Sequence, residues 1–236
     1  MRRWARILGT VLIVAGVLTL VWAVVVWRWQ DPFTAVYTKW RQHQLTHQYE
    51  RRVRSFRPPA PIVTVSLAAE RRSIARAARR YRLSSKRGEA IGRIRVPRMG
   101  VNMIFVNGTD HDSLKKGPGR DLRTFMPGED RLVYIAGHRT TYLAPFSHID
   151  RMRTGDRVTL EVPYGTFIYT VTHHRIVKST DLAVLRSPRH EVVELQACHP
   201  RFFASHRYIV YARLVRVEPR GAAAFDVAAL AQASGK

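Results

Sequence analysis

The chain holds one thiol, Cys198, in the run Val192-Val193-Glu194-Leu195-Gln196-Ala197-Cys198-His199-Pro200. The β-type stretch before it and the proline after it place the sulfur at a strand end beside a loop, where a substrate can reach it. His138 stands likewise just past an apolar run, in Ile135-Ala136-Gly137-His138-Arg139. Arg207 opens the run His206-Arg207-Tyr208-Ile209-Val210-Tyr211, and a hairpin between the last two runs returns it to the side of Cys198. A thiol nucleophile, an imidazole that moves a proton and a guanidinium that meets a developing oxyanion are the minimum set for acyl transfer through a thioester. From these residues alone a second reading stays open. A lone cysteine commonly packs as a small hydrophobe, and 10 histidines among 40 Lys and Arg residues make chance proximity common.

Other chemistries lack their residues. With one cysteine, no His/Cys/Asp/Glu set has the spacing of a structural zinc site. There is no P-loop and no GxGxxG, so neither a metal nor a cofactor is expected. His173 and His174 fall inside a predicted strand and are expected to alternate between solvent and core.

The elements that must position the three residues begin near residue 91. Short runs rich in β-branched and aromatic residues cover Ile91–Val96, Val101–Val106, Leu132–Ala136, Arg157–Val162, Thr166–Lys178, Val192–Ala197 and Tyr208–Val217. Turn residues separate them, as in Asn107-Gly108, Gly117-Pro118-Gly119 and Thr154-Gly155-Asp156. Seven or eight short strands with little helix predict an all-β closed barrel or sandwich over residues 91–217. The Ala-rich tail, 218–236, is expected to fray.

Ahead of the barrel, Ile7 to Trp27 runs 21 residues without a charge. As a helix it covers about 31 Å, the thickness of a bilayer's hydrocarbon core. It is longer than a signal-peptide core and ends in bulky Val25, Trp27 and Trp29 rather than a small-residue cleavage site, which predicts an uncleaved signal anchor. Residues 1–6 then form a short cytoplasmic tail, although basic residues flank the span on both sides and orient it only weakly. Residues 28–90 read as a basic, partly helical stalk, broken at Pro58-Pro59-Ala60-Pro61. Its apolar content is too small for a core of its own, so a barrel starting near Ser85 is expected to fold without it.

The net charge is +23, and the first 90 residues carry 18 Lys and Arg against 4 Asp and Glu. Such a balance implies an anionic neighbour: nucleic acid, anionic lipid or a phosphate-rich wall polymer. No RNA-recognition or zinc-finger signature accompanies the charge, so nucleic acid is not expected as a partner.

The segment IAGHRTTYLAPFSHID resembles the histidine segment of sortases, the membrane-anchored cysteine transpeptidases of Gram-positive surfaces. ELQACHPRFFASHRYIVYARL resembles their paired Cys and Arg strands, and IRVPRMGVNMIFVNGTDHDSLKKGPGR their first strands. The HRTTY and CHP elements are most similar to the actinobacterial type called class E. The resemblance spans the whole predicted barrel and implies a sortase-type β-barrel of about eight strands. It implies that Cys198 attacks the Thr–Gly bond of an LPXTG- or LAXTG-like C-terminal sorting signal. His138 would protonate the leaving amine and then deprotonate the incoming one, and Arg207 would bind substrate and oxyanion. The implied partners are secreted proteins bearing that signal, a peptidoglycan precursor or cross-bridge amine, and the membrane, with the catalytic domain outside the cell. Tyr142, Leu195 and Gln196 are the candidates for binding the signal peptide. Pilin polymerisation and a non-catalytic wall-adhering or membrane-adhering module are the alternatives.

Two features depart from the family or invite comparison with it. Sortases usually carry Thr-Leu-x-Thr before the cysteine, whereas Glu194 and Ala197 stand here in place of the threonines, at positions expected to border the substrate groove. Asp31-Pro32-Phe33 resembles the lid tripeptide of pilin-polymerising sortases, although a proline at a helix exit is a simpler account.

Overall fold

The computed structural model describes residues 2–29, 32–57 and 67–227. Helix α1, Arg2–Trp29, contains the apolar run; its window Arg2–Val25 has a mean hydropathy of 2.5 and none of it is buried against the rest of the chain. This helix is long and apolar enough to cross a membrane and fits a single-pass anchor. Asp31 lies outside the described residues, and so does any lid contact it makes. Pro32 opens the next helix, where its missing N–H costs nothing.

Nine strands follow among the described residues: β1 Ala90–Val96, β2 Val101–Asn107, β3 Gly119–Arg120, β4 Leu132–Ala136, β5 Arg157–Val162, β6 Gly165–Lys178, β7 Val192–His199, β8 His206–Pro219 and β9 Phe225–Asp226. Their order in the sheet is β6-β5-β1-β2-β3-β4-β7-β8-β9, and pairing of β6 with β8 closes β1–β8 into a barrel. β9 extends the edge beside Arg216 and Val217, so the start of the tail is paired rather than frayed. The long predicted runs are found to within two residues at each end. β3 escaped notice because two residues of a Gly-Arg pair carry no β signal. The core holds Ile91, Ile94, Phe105, Val133, Ile135, Leu160, Phe167, Val193, Leu195 and Val210, the inward positions of alternating strands.

The stalk is not a spacer. Helix α2, Pro32–Ser55, buries Leu45 and Tyr49 against Ala90, Ile104 and Val106. Helix α3, Leu67–Ser84, puts Ile74 and Ala78 into the main core. Both stripes are narrow, two residues spaced i and i+4, and polar groups complete them. The Gln42 side chain accepts from the Ile104 N–H at 2.8 Å and donates to the carbonyls of Ile104 and Lys116 at 2.8 and 2.7 Å. Tyr81 donates to the Ile91 carbonyl at 3.1 Å, and Arg82 pairs with Glu129 at 2.8 Å. Counting apolar residues missed the docking because half of it is made by amide, phenol and guanidinium groups.

Removal of residues 1–84 therefore carries a cost. Leu45, Tyr49 and Ile74 contribute roughly 1.5–3 kcal/mol each by burial, in a protein of total stability about 5–15 kcal/mol. A chain beginning at Ser85 should melt at least about 10 °C below one beginning at Pro32. Equal melting temperatures by circular dichroism would show that the helices only rest on the barrel.

Candidate active site

β7 and β8 are antiparallel neighbours whose register sets Cys198 directly opposite Arg207. Side chains so placed lie about 5 Å apart at Cβ. β4 runs parallel to β7 on its other side, with Ala136 level with Gln196. The Gly137 N–H then donates to the Gln196 carbonyl at 3.0 Å, and the next residue is His138. Glycine is required at 137, because a Cβ there would meet the Phe146 ring at 2.7 Å. Cys198, His138 and Arg207 line one cleft of about 280 Å³ together with Gln196, Tyr134, Asp121, Arg123, Leu182 and Val184. A larger hollow, about 470 Å³, lies between the end of α2 and α3 and contains neither a thiol nor an imidazole.

Burial, with His111 adding to it, lowers the pKa of His138 below the ordinary imidazole value. Its ring is therefore neutral near pH 7, able to take a proton, and its Nε2 is buried without a partner among the described residues. The Arg207 Nη1 donates to the carbonyls of Ala204 at 2.7 Å and His206 at 3.0 Å. That anchors one arm of the guanidinium and leaves Nε and Nη2 unengaged among the described residues. Arg201 instead donates to the Ser147 carbonyl.

The loop after His138 is held from three sides. Phe146 N–H returns to the His138 carbonyl at 3.0 Å. Tyr142, Leu143 and Ala144 all have positive φ, at 52°, 61° and 37°, a conformation that costs a non-glycine residue free energy and persists where its surroundings enforce it. The Tyr142 N–H donates to Thr34 Oγ1 of α2 at 3.0 Å. Its ring lies 5.0 Å from that of His138 and is not among those lining the cleft. Gln196 does line it, whereas Leu195 faces the opposite way into the barrel core, because the strand's period of two sends it there. Ala197 is core for the same reason. Of the two positions that depart from the family pattern, Glu194 alone shares the face of Cys198. His173 and His174 are both exposed, stacked on Tyr211 and Tyr208, because a bulge between Val171 and His173 interrupts the alternation.

Arg139 was not foreseen. It is 5% exposed, and its Nη1 donates to the Cys198 carbonyl at 3.2 Å and meets His199 Nδ1 at 3.0 Å. Its Nη2 pairs with Asp150 at 2.9 Å. One dipeptide, His138-Arg139, thus supplies the imidazole and grips the backbone of the thiol. Adjacency to His138 was the available signal, diluted by the many arginines elsewhere.

Two buried carboxyls belong to the length of β7: Glu194 within the strand, and Glu191 just before its start, at the end away from Cys198. Burial raises Glu191 to about 7, although it accepts from Tyr169 Oη at 2.5 Å and from the N–H groups of Gly128 and Asp130. Burial raises Glu194 to about 8. Both pKa values lie above their unfolded values, so between about pH 4.5 and 8 the native state holds protons that the unfolded chain has released, and stability falls as pH rises. Glu194→Gln removes its share. The urea midpoint of that variant should gain on the wild type from about pH 5 to 8 and level off above, and a constant gap would contradict a carboxyl held protonated by the fold.

The sortase-domain family model matches residues 94–215, just over half of the chain and nearly all of the barrel. Sortase D of Bacillus subtilis is 32% identical over 133 residues, 54% of this chain and 65% of that protein. The chain thus spans a little under two thirds of that relative's length. Among solved structures, sortase E of Streptomyces avermitilis superposes with a TM-score of 0.51 at 30% identity, covering 58% of this chain and 96% of that one. A Clostridium perfringens sortase D5 transpeptidase superposes with a TM-score of 0.59 at 22% identity, over 74% and 98%. Relatives named D and E both appear, so the likeness to class E is one of several. With a sortase-domain model matched over just over half of its length and solved sortases superposing on its barrel, the chain belongs to the sortase family.

Proposed function

We propose that the chain is a membrane-anchored cysteine transpeptidase that cleaves a C-terminal sorting signal and passes the acyl group to an amine. The observation that carries this reading is the register of Cys198 against Arg207, with His138 in the same cleft. Barrel packing requires none of the three. The resemblance of the His and Cys–Arg segments supports an LPXTG- or LAXTG-like signal cut between Thr and Gly, and a cell-wall precursor or cross-bridge amine as acceptor. Helix α1 is long and apolar enough for a single-pass anchor, and a barrel held outside the cell by it would meet such partners.

In the reaction, neutral His138 takes the thiol proton as the Cys198 sulfur adds to the scissile carbonyl. The oxyanion forms beside the free arm of Arg207, whose other arm is already fixed to two backbone carbonyls. Collapse expels the amine, which takes the proton back from His138, and leaves a thioester on Cys198. The acceptor amine adds to the thioester, gives its proton to His138 and displaces the thiolate as the new amide forms. The thiolate is then reprotonated.

Incubation with a sorting-signal peptide should add to Cys198 the mass of the peptide's acyl half, read by intact-protein mass spectrometry. The adduct should disappear on addition of an amine, with the amide as product. A chain that binds the peptide but never gains this mass is not a transpeptidase.

A further inference from the structure

Helix α2 meets the barrel with one face. Thr34, Thr38, Gln42, Leu45 and Tyr49 follow at intervals of four, four, three and four residues, the spacing that keeps side chains in a row along a helix. Leu45 and Tyr49 are the apolar end of the row and pack against β1 and β2. Toward the start of the helix the row turns polar, and each polar member takes a backbone group of the domain beside it. Gln42 takes the N–H and carbonyl of Ile104 and the carbonyl of Lys116. Thr38 is fully buried and donates to the Lys115 carbonyl at 2.9 Å. Thr34 accepts from the Tyr142 N–H at 3.0 Å.

That last bond reaches the loop that carries His138. Inside the loop, the N–H groups of Ala144, Phe146 and Ser147 find the loop carbonyls of Thr141, His138 and Ala144, whereas the N–H of Tyr142 is met from another element. Tyr142 is also the first of the three residues with positive φ, a conformation that persists in a non-glycine residue only where its surroundings hold it. Its ring lies 5.0 Å from the His138 ring and meets the His111 ring edge-on at 6.5 Å. His111 opens the short helix His111–Leu114, which is capped by Lys115, the residue that Thr38 holds. The row on α2 thus grips the Tyr142 backbone and, through Lys115, the segment that brings His111 against the Tyr142 ring.

We propose that Thr34 is a positioning residue for the reaction: by holding the Tyr142 backbone it keeps the Tyr142 ring against His138 and so fixes the imidazole that carries the proton. The inference rests on the transpeptidase reading. Proton transfer needs the imidazole within hydrogen-bond reach of thiol and amine, and a small misplacement of a catalytic group costs rate steeply. The His138 Nε2 has no hydrogen-bond partner among the described residues, which gives packing the larger part in orienting the ring. Thr34 stands five residues after Trp29, the end of α1, at most about 18 Å along the chain. The helix that leaves the apolar anchor therefore also sets the catalytic loop.

The test measures sorting-signal peptide cleavage by the full chain in detergent. Thr34→Val keeps the shape and loses the acceptor. Its kcat should fall about three- to tenfold, the worth of one hydrogen bond, while KM changes less than about twofold, because Thr34 does not line the cleft. Thr34→Ala also lacks the acceptor and must lose activity in the same way, which decides the matter if the valine variant does not fold. Thr34→Ser keeps an acceptor and should recover most of the wild-type kcat. Leu45→Ala loosens the apolar end of the same helix; its melting temperature should fall at least as far as that of Thr34→Val, with kcat at the wild-type level well below the melting point. Hydrogen exchange of residues 139–146, read by mass spectrometry, should quicken in Thr34→Val and not in Leu45→Ala. A wild type that never cleaves the peptide defeats the transpeptidase reading and this one together. A wild type that cleaves, with Thr34→Val at the same kcat, with no rescue by serine, or with an equal loss in Leu45→Ala, overturns the role of Thr34 alone.

Discussion

Cys198→Ala should leave no measurable cleavage or transfer, a fall of about 10⁴-fold or more, as expected when a covalent nucleophile is removed. No other thiol exists in the chain to replace it. The fold should survive, because the residue is half-buried at the end of β7, its carbonyl remains free to accept from Arg139, and its neighbour Ala197 does the packing. The two readings of a lone cysteine separate here. A structural cysteine replaced by alanine loses some packing and little else, so its activity would persist while its melting temperature dropped. A nucleophile replaced by alanine loses turnover while its melting temperature holds. Peptide cleavage followed by fluorescence, with a melting curve on the same preparation, distinguishes them, and substantial turnover by the variant would remove the mechanism proposed above.

What could be read from the sequence, and what could not, divides along physical lines. The long strands showed themselves through β-branched runs and turn residues, and the strand-end positions of Cys198, His138 and Arg207 followed from those runs. Side-chain direction depends on registration to one residue, and there the sequence reading mixed two faces of β7: Leu195 entered the core while Gln196 faced the cleft. The docking of α2 and α3 was hidden because Gln42, Tyr81 and Arg82 read as polar surface until their partners, distant in the chain, are known. Arg139 was hidden for a similar reason. Its partners, Cys198 and Asp150, belong to different elements, and only the closed barrel brings them together.

His138 and Arg207 should fail in different ways. His138→Ala removes the proton carrier, typically a loss of about 10²–10⁴-fold. It also leaves a hole beside Tyr142, so its melting temperature belongs with the rate. Arg207→Lys is the sharper case. The guanidinium uses Nη1 on the carbonyls of Ala204 and His206 while its other donors remain available to the cleft. A lysine ammonium is a single point of charge and cannot hold that pair of carbonyls and aim a second set of donors at the oxyanion. If the oxyanion is met by oriented donors, kcat should fall about 10²–10³-fold with KM changed far less. Alkylation of Cys198 by iodoacetamide near pH 7 should continue at close to the wild-type rate, because the positive charge beside the thiol is kept. If Arg207 acts only as that charge, the lysine variant should keep most of its kcat as well. Near-normal kcat on a fluorescent sorting-signal peptide would therefore exclude the oxyanion role and leave Arg207 as a fixed cation opposite the thiol.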